Sequence, residues 1–442
     1  MKAVLHPARA VVLGFLLAII TGSLLLMLPA AHSTGEPVPW IVAFFTAVSA
    51  VCVTGLAVVD TGTYWSPFGQ VTIMLLFQLG GFGLMTAATL LGLMVNRSPR
   101  LRTRLMTQTE THTLGLGDIS SVAKIVFAVT FLSQLVLTAL LSLRLHFGHG
   151  LDWHAASWSG LFHAASAFNN AGFSIYSDGL MRYAGDALIL IPVMGAIILG
   201  GIGFPVMHDL RHRWHDPRHW SLHTKLTLTG TLVLLAGGFV ALLLLEYDNP
   251  RTLGPLSMAG KVLHGLFLSV SARTAGFNAV DIGALTQESW AVHYFLMFVG
   301  GGSAGTAGGV KVGTAAVLVL LVIAEIRGHS DTEAFGRRVS ASMQRQAITV
   351  MVLSSIIVAL STVILLRLTD LPIGRIIFEV ISAFSSTGLS TGITAELPPA
   401  GLLLLTLLMF IGRVGIITFA TSLVLGERRM PYRYPEEHPI VG

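Results

Sequence analysis

The chain has 442 residues, 53% of them hydrophobic and only 11% Asp, Glu, Lys or Arg, against about 25% charged in an ordinary soluble domain. With a mean hydropathy of +0.75, this excludes a soluble globular protein and makes lipid the dominant solvent. A formal charge of +5 does not imply nucleic acid, because cytoplasmic loops of membrane proteins collect Lys and Arg, and the one cysteine, Cys52, excludes a disulfide framework or a cysteine zinc module.

The first apolar run, near residues 10 to 30, follows Lys2 and Arg9 and is longer than a signal-peptide core, so it reads as a retained span. Seven more runs lie near 70 to 95, 122 to 145, 186 to 206, 223 to 245, 290 to 325, 346 to 366 and 400 to 426, each long enough to cross about 30 Å of hydrocarbon as a helix. Between them fall four shorter stretches, about 38 to 53, 153 to 170, 257 to 274 and 372 to 386, which are too short to cross. Such segments read as re-entrant, and irregular backbone at membrane depth is tolerated only where it faces protein or water. The predicted fold is an all-α integral membrane protein of four tandem span/pore-helix/span units, with eight transmembrane helices and four re-entrant pore loops around one pseudo-fourfold pore. The units cover residues 1–104, 105–220, 221–338 and 339–442.

Basic residues set the orientation. Arg97, Arg100, Arg102 and Arg104 follow the second span; Arg211, Arg213 and Arg218 the fourth; Arg327, Arg337 and Arg338 the sixth; Arg428, Arg429 and Arg433 the eighth. Those ends are expected to be cytoplasmic, which puts both termini on the cytoplasmic side of the bacterial inner membrane and makes all four loops enter from outside. Asp60, Asp178, Asp281 and Glu396 then fall at the outer mouth, where negative charge attracts cations.

The four short segments align as Ala50-Val-Cys-Val-Thr-Gly-Leu, Ala167-Phe-Asn-Asn-Ala-Gly-Phe, Ser271-Ala-Arg-Thr-Ala-Gly-Phe and Ala383-Phe-Ser-Ser-Thr-Gly-Leu, with glycines at 55, 172, 276 and 388. Close helix packing explains one membrane glycine, but not four in the same context. Four loops around an axis can replace an ion's hydration shell with backbone carbonyls, and glycine reaches the positive φ that this needs. Ringed oxygens without a dense carboxylate cluster favour a large monovalent cation, potassium, over a divalent one.

On these four motifs the chain resembles the Trk/Ktr/HKT superfamily of potassium transporters over nearly its whole length. With one span before the first loop, it is most similar to the Ktr-type membrane subunits. The resemblance implies a homodimer with one pore per subunit. It places filter carbonyls at Val53, Thr54 and Gly55; Asn170, Ala171 and Gly172; Thr274, Ala275 and Gly276; and Ser386, Thr387 and Gly388. Each loop has one glycine where tetrameric potassium channels carry Thr-Val-Gly-Tyr-Gly, so fewer carbonyl sites are expected. The resemblance also implies a cytosolic ring of Rossmann-like RCK subunits that bind ATP or ADP; docking is expected on Arg100 to Arg104, Arg337, Arg338 and the tail after Gly426.

Inside the sixth run lies Gly300, Gly301, Gly302, Ser303, Ala304, Gly305, Thr306, Ala307, Gly308, Gly309, Val310 and Lys311, through which a helix is unstable. The Gly-Lys-Ser/Thr of a phosphate loop is missing, so this reads as a flexible constriction, a gate, with a closely packed weak helix as the alternative. Arg413 lies near the middle of the last span and should face a partner or the water-filled pore, where it would be a barrier to cations. Arg273 should pair with a local carboxylate, Asp281 for one, or with pore-helix carbonyls.

His208, His212, His215, His219 and His223 read as a solvated basic loop near headgroups, since no HExxH occurs and Pro217 interrupts the helix. No nucleophile, base or carboxylate pair occupies a re-entrant position, so the chain reads as a non-enzyme without a covalent cofactor. The expected function is passive or sodium-stimulated potassium uptake. The alternative is an ion-coupled secondary transporter of another monovalent cation, sodium or a potassium/sodium symporter.

Overall fold

The computed structural model describes the backbone of residues 7–95 and 118–415 and the side chains of residues 11–83 and 126–415. Arg97 to Arg104 and the tail after Gly426, two of the expected docking surfaces, lie outside the described residues.

The described chain is mostly helical, with one short β-hairpin, and repeats one pattern four times. The first unit holds α1 (Pro7–Leu26), α2 (Trp40–Val51), the single turn α3 (Thr61–Tyr64) and α4 (Pro67–Val95). The second holds α5 (Asp118–His149), α6 (Trp153–Asn169), α7 (Ala187–Ile202) and α8 (Phe204–Arg213). The third holds α9 (Leu222–Glu246), α10 (Met258–Ser271), α11 (Gln287–Phe298) and α12 (Val312–Ile326), and the fourth α13 (Ala341–Leu368), α14 (Ile373–Ser385) and α15 (Pro399–Val414). Side-chain caps fix several starts: Asp152 accepts from the Ala155 N–H at 3.1 Å, and Ser257 from the Gly260 N–H at 3.2 Å.

The burial pattern inverts that of a soluble protein. Buried side chains crowd the short helices α2, α6, α10 and α14, whereas the long helices expose large apolar residues such as Leu132, Leu232 and Leu244. An apolar band of this kind is what hydrocarbon solvates. The helix after each loop packs on the short helix of the next unit: α4 on α6, α7 on α10, α11 on α14 and α15 on α2. The last contact closes the circle.

Three helices among the described residues are each long and apolar enough to cross a membrane: Val126–His149, Leu222–Glu246 and Ala341–Leu368. Three of the other apolar runs are divided or shortened. The run at 186 to 206, expected as one straight span, bends by 98° between α7 and α8, where Gly203 takes φ 98°. The run at 290 to 325 is broken between α11 and α12, as its glycines require. The run at 400 to 426 stops as described helix at Val414, before Gly415 at φ 88°.

Candidate functional site

The four predicted loops converge. Gly55, Gly172, Gly276 and Gly388 have φ of 88°, 68°, 76° and 91°, and two residues earlier each loop has a second left-handed residue: Val53, Asn170, Thr274 and Ser386, at 56°, 57°, 67° and 52°. Left-handed backbone costs a residue with Cβ about 1 to 2 kcal/mol, so the fourfold repetition of this geometry records a requirement of the ring rather than local preference.

The glycines are required twice over. A Cβ on Gly55 would strike the Ala171 carbonyl oxygen, one on Gly276 that of Thr387, and one on Gly388 that of Thr54; on Gly172 it would lie 3.0 Å from the Ala275 oxygen. Each glycine therefore meets the carbonyl of another unit, in the order one to two, two to three, three to four and four to one. Four backbone carbonyls and four glycines make a closed ring. Thr54, Ala171, Ala275 and Thr387, which supply those carbonyls, are completely buried.

A serine on each short helix holds its loop. Ser49 Oγ donates to the Leu56 carbonyl at 2.7 Å and accepts from the Gly55 N–H at 3.1 Å, and Ser166 Oγ donates to the Phe173 carbonyl at 2.8 Å. Ser271 Oγ donates to the Phe277 carbonyl, and Ser382 Oγ accepts from the Gly388 N–H at 3.1 Å. The sequence reading missed these serines, although they recur at a nearly constant distance before each glycine.

A second repeat lies below the ring, also missed. Gly80-Gly81-Phe82-Gly83, Gly200-Gly201-Ile202-Gly203, Gly300-Gly301-Gly302-Ser303 and Gly412-Arg413-Val414-Gly415 follow the ring glycines by 24 to 28 residues. A Cβ at Gly80, Gly200 or Gly412 would strike the carbonyl oxygen of Val51, Phe168 or Phe384, near the end of each unit's own short helix. At the next position three units have glycine and the fourth has Arg413.

Arg413 is 2% exposed. Its guanidinium donates to the Thr306 carbonyl of the glycine-rich loop and, at 3.1 Å, to the Gly80 carbonyl, so one side chain of unit four ties down units three and one. The glycine-rich loop is stitched in turn to unit two: Gly302 N–H donates to the Gly201 carbonyl at 2.8 Å, Thr306 N–H to Gly200 at 3.1 Å, and Phe204 N–H to Ala304 at 3.2 Å. Ala304 and Gly309 take positive φ, and Lys311 Nζ donates to the Ala307 carbonyl at 2.6 Å. Ser303, Gly309 and Lys311 line a cavity of about 230 Å³ together with Gln346.

Arg273 departs from expectation. It donates to the Gly300 carbonyl at 2.6 Å and to the Thr231 carbonyl at 3.2 Å, not to a carboxylate or to a short-helix carbonyl. Asp281 lies beyond the ring, where its carboxylate accepts from the Gly283 N–H at 2.8 Å. Arg273 instead satisfies the Gly300 carbonyl, which the glycine break leaves without a helical partner, and also reaches the Thr231 carbonyl inside α9.

Above the ring opens a cavity of about 390 Å³ lined by all four ring glycines and by Ala57, Asp60, Ser174, Asn278 and Ser390, among others. Partial burial pushes the Asp60 carboxyl up, but hydrogen bonds from Ser177, Thr63 and Gly62 outweigh it and hold the group below the usual carboxylate range. Of the other acidic residues expected at the mouth, Asp178 is paired with Arg182 at 2.7 Å. Among the described residues no group of three or more His, Cys, Asp or Glu is placed to hold a metal ion.

The TrkH family, described as cation transport protein, matches residues 9–428. The chain is 41% identical over 436 residues to the Ktr system potassium uptake protein B of Bacillus subtilis, covering 99% of this chain and 97% of that one. It is 34% identical to the protein of the same name from Vibrio alginolyticus, over 98% of this chain and 94% of that one. It is also 34% identical to the potassium/sodium uptake protein NtpJ of Enterococcus hirae, over 99% and 98%. Its fold is similar to the crystal structure of the potassium transporter TrkH from Vibrio parahaemolyticus, with a TM-score of 0.70 at 16% identity over 93% of this chain and 85% of that one. This is a membrane protein, and the chain belongs to the TrkH family of cation transport proteins.

Proposed function

We propose that the chain forms a potassium uptake pore in the bacterial cytoplasmic membrane and is not an enzyme. The observation that carries this reading is the closed ring in which each of four glycines meets a carbonyl of another unit. Carbonyl oxygens from four directions replace the water of a weakly hydrated monovalent cation, and fixed backbone spares the ion the cost of ordering them. The Ktr names of two relatives support potassium as the ion, and the name of NtpJ supports a role for sodium as co-ion or competitor.

In this reading residues 1–104, 105–220, 221–338 and 339–442 are the four units, with eight spans, four loops entering from outside and both termini in the cytoplasm. Potassium collects in the cavity above the ring and passes the carbonyl level contributed by Val53 to Gly55, Asn170 to Gly172, Thr274 to Gly276 and Ser386 to Gly388. It then meets the gate, formed by the loop Gly300 to Lys311 and the Arg413 charge. The guanidinium opposes a cation in this layer and locks the loop at Thr306. Opening requires release of that contact. The chain acts as a homodimer under a cytosolic RCK ring that binds ATP or ADP, docked in part on the exposed hairpin Glu333–Ala334/Arg337–Arg338.

The test is growth of a potassium-uptake-deficient bacterium on low-potassium medium, with and without an RCK subunit. Wild type should restore growth and Gly388→Ser should not. A well-expressed wild type that fails in both settings would contradict the reading, and rescue that requires added sodium would favour the coupled alternative.

A further inference from the structure

Among the described residues Glu379 is a membrane-depth carboxylate with no basic partner. It sits on α14, is 0% exposed, and forms none of the ion pairs present among the described residues. A buried carboxylate is retained only where hydrogen bonds compensate its lost hydration. Here the donors come from its own unit's rising loop: Ser390 Oγ donates at 2.9 Å and Thr394 Oγ1 donates to the other oxygen.

Ser390 is two residues past the ring glycine Gly388 and lines the cavity above the ring, as do Ala57, Ser174 and Asn278 at the same position of the other units. A hydroxyl has one proton and two lone pairs. The Ser390 proton points at Glu379, the Gly392 N–H occupies one lone pair at 2.9 Å, and Thr394 Oγ1, 3.1 Å away, spends its own proton on Glu379 and so does not fill the other. The oxygen, not the hydrogen, is left toward the cavity. Unit two carries a parallel device: His163, nine residues before Gly172 as Glu379 is before Gly388, contacts Ser174 Oγ at 2.9 Å from its Nε2. Units one and three have Thr46 and Phe267 at that place, so only alternate units carry an ionisable brace.

We propose that Glu379 is a positioning residue for cation selection: it fixes the Ser390 hydroxyl with its oxygen toward the outer cavity, giving the entering cation its first protein ligand above the ring. The inference rests on the potassium-pore reading and adds the specificity-setting group behind it. The carboxylate does not touch the ion and acts through the serine. Thr394 donates to the second carboxylate oxygen and prevents rotation away from Ser390. An amide at the same position has one acceptor oxygen for the two hydroxyls, so one of them meets N–H₂; where that is Ser390, its proton turns toward the cavity and repels a cation.

The test is the ratio of potassium to sodium uptake in proteoliposomes of the full-length protein. Ser390→Ala and Glu379→Gln should each lower the ratio by about tenfold, the size expected for one hydrogen bond to a charged group. The double variant should be no worse than Ser390→Ala alone, since both changes remove the same oxygen. Glu379→Asp should recover part of the ratio. Glu246→Gln, at the other fully buried carboxylate among the described residues, is a control for simple destabilisation and should leave the ratio unchanged. A wild-type ratio in Ser390→Ala, or losses in the double variant that multiply, would overturn the proposal. Wild-type protein with no potassium uptake would overturn the function reading on which it rests.

Discussion

The ring at Gly55, Gly172, Gly276 and Gly388 and the layer of glycines below it are built from the same four units, yet only the ring keeps the fourfold rule at every position. In the ring each unit supplies a left-handed residue, a carbonyl and a glycine, and each glycine meets another unit's carbonyl. In the layer below, three units place a second glycine where the fourth places Arg413, and the third unit loses its helix altogether. An ion on the axis needs equivalent oxygens from every side, which penalises any departure from symmetry. A gate needs one movable segment and one latch, so the proposed function tolerates asymmetry there. On the proposed reading, selection belongs to the upper layer and gating to the lower one.

The contrast breaks most sharply at the ring. Gly55→Ala, which drives a methyl group into the Ala171 carbonyl and strains φ, should abolish potassium uptake while the protein still reaches the membrane. Rubidium influx with an expression control measures this, and influx within twofold of wild type would count against the ring.

The lower layer should answer differently. Gly200→Ala pushes a methyl into the Phe168 carbonyl at the end of α6, and overpacking of that kind costs about 1 to 3 kcal/mol. Thermal unfolding in detergent should show a lower midpoint, with the residual protein still preferring potassium.

Arg413→Ala leaves the Thr306 and Gly80 carbonyls without their donor, a loss of about 1 to 3 kcal/mol, and removes the charge from the path. Flux should rise severalfold with selectivity kept, and Arg413→Lys should fall between. Lower flux would assign Arg413 to folding rather than to the barrier.

The smallest effects belong to the serines. Ser49→Ala removes two loop hydrogen bonds and Ser382→Ala one, each worth about 1 kcal/mol, and both should reduce the potassium to sodium ratio only a few-fold.

Most of this architecture could be read from residue order. The four short helices begin and end within three residues of the predicted stretches, because proline, glycine and polar clusters bound them sharply. The glycine run after Val299 and the buried Arg413 were equally legible, since a helix cannot pass one and lipid cannot hold the other. The left-handed Val53 and Thr274 were not, because β-branched residues disfavour that backbone and only the closed ring enforces it. The lower glycine repeat was hidden because membrane helices use glycine for ordinary packing, and only the recurring carbonyl beneath Gly80, Gly200 and Gly412 separates the two uses. Arg273 misled because its partners, Thr231 and Gly300, are remote in sequence and are backbone oxygens, which leave no side-chain signature.

The most direct measurement is anomalous diffraction from crystals of the protein soaked in thallium(I), a potassium mimic with a strong signal. The account predicts a peak on the axis, bounded by the carbonyls of Thr54, Ala171, Ala275 and Thr387, that disappears in Gly388→Ser. Transport-competent protein whose thallium peaks all lie away from that ring would contradict it.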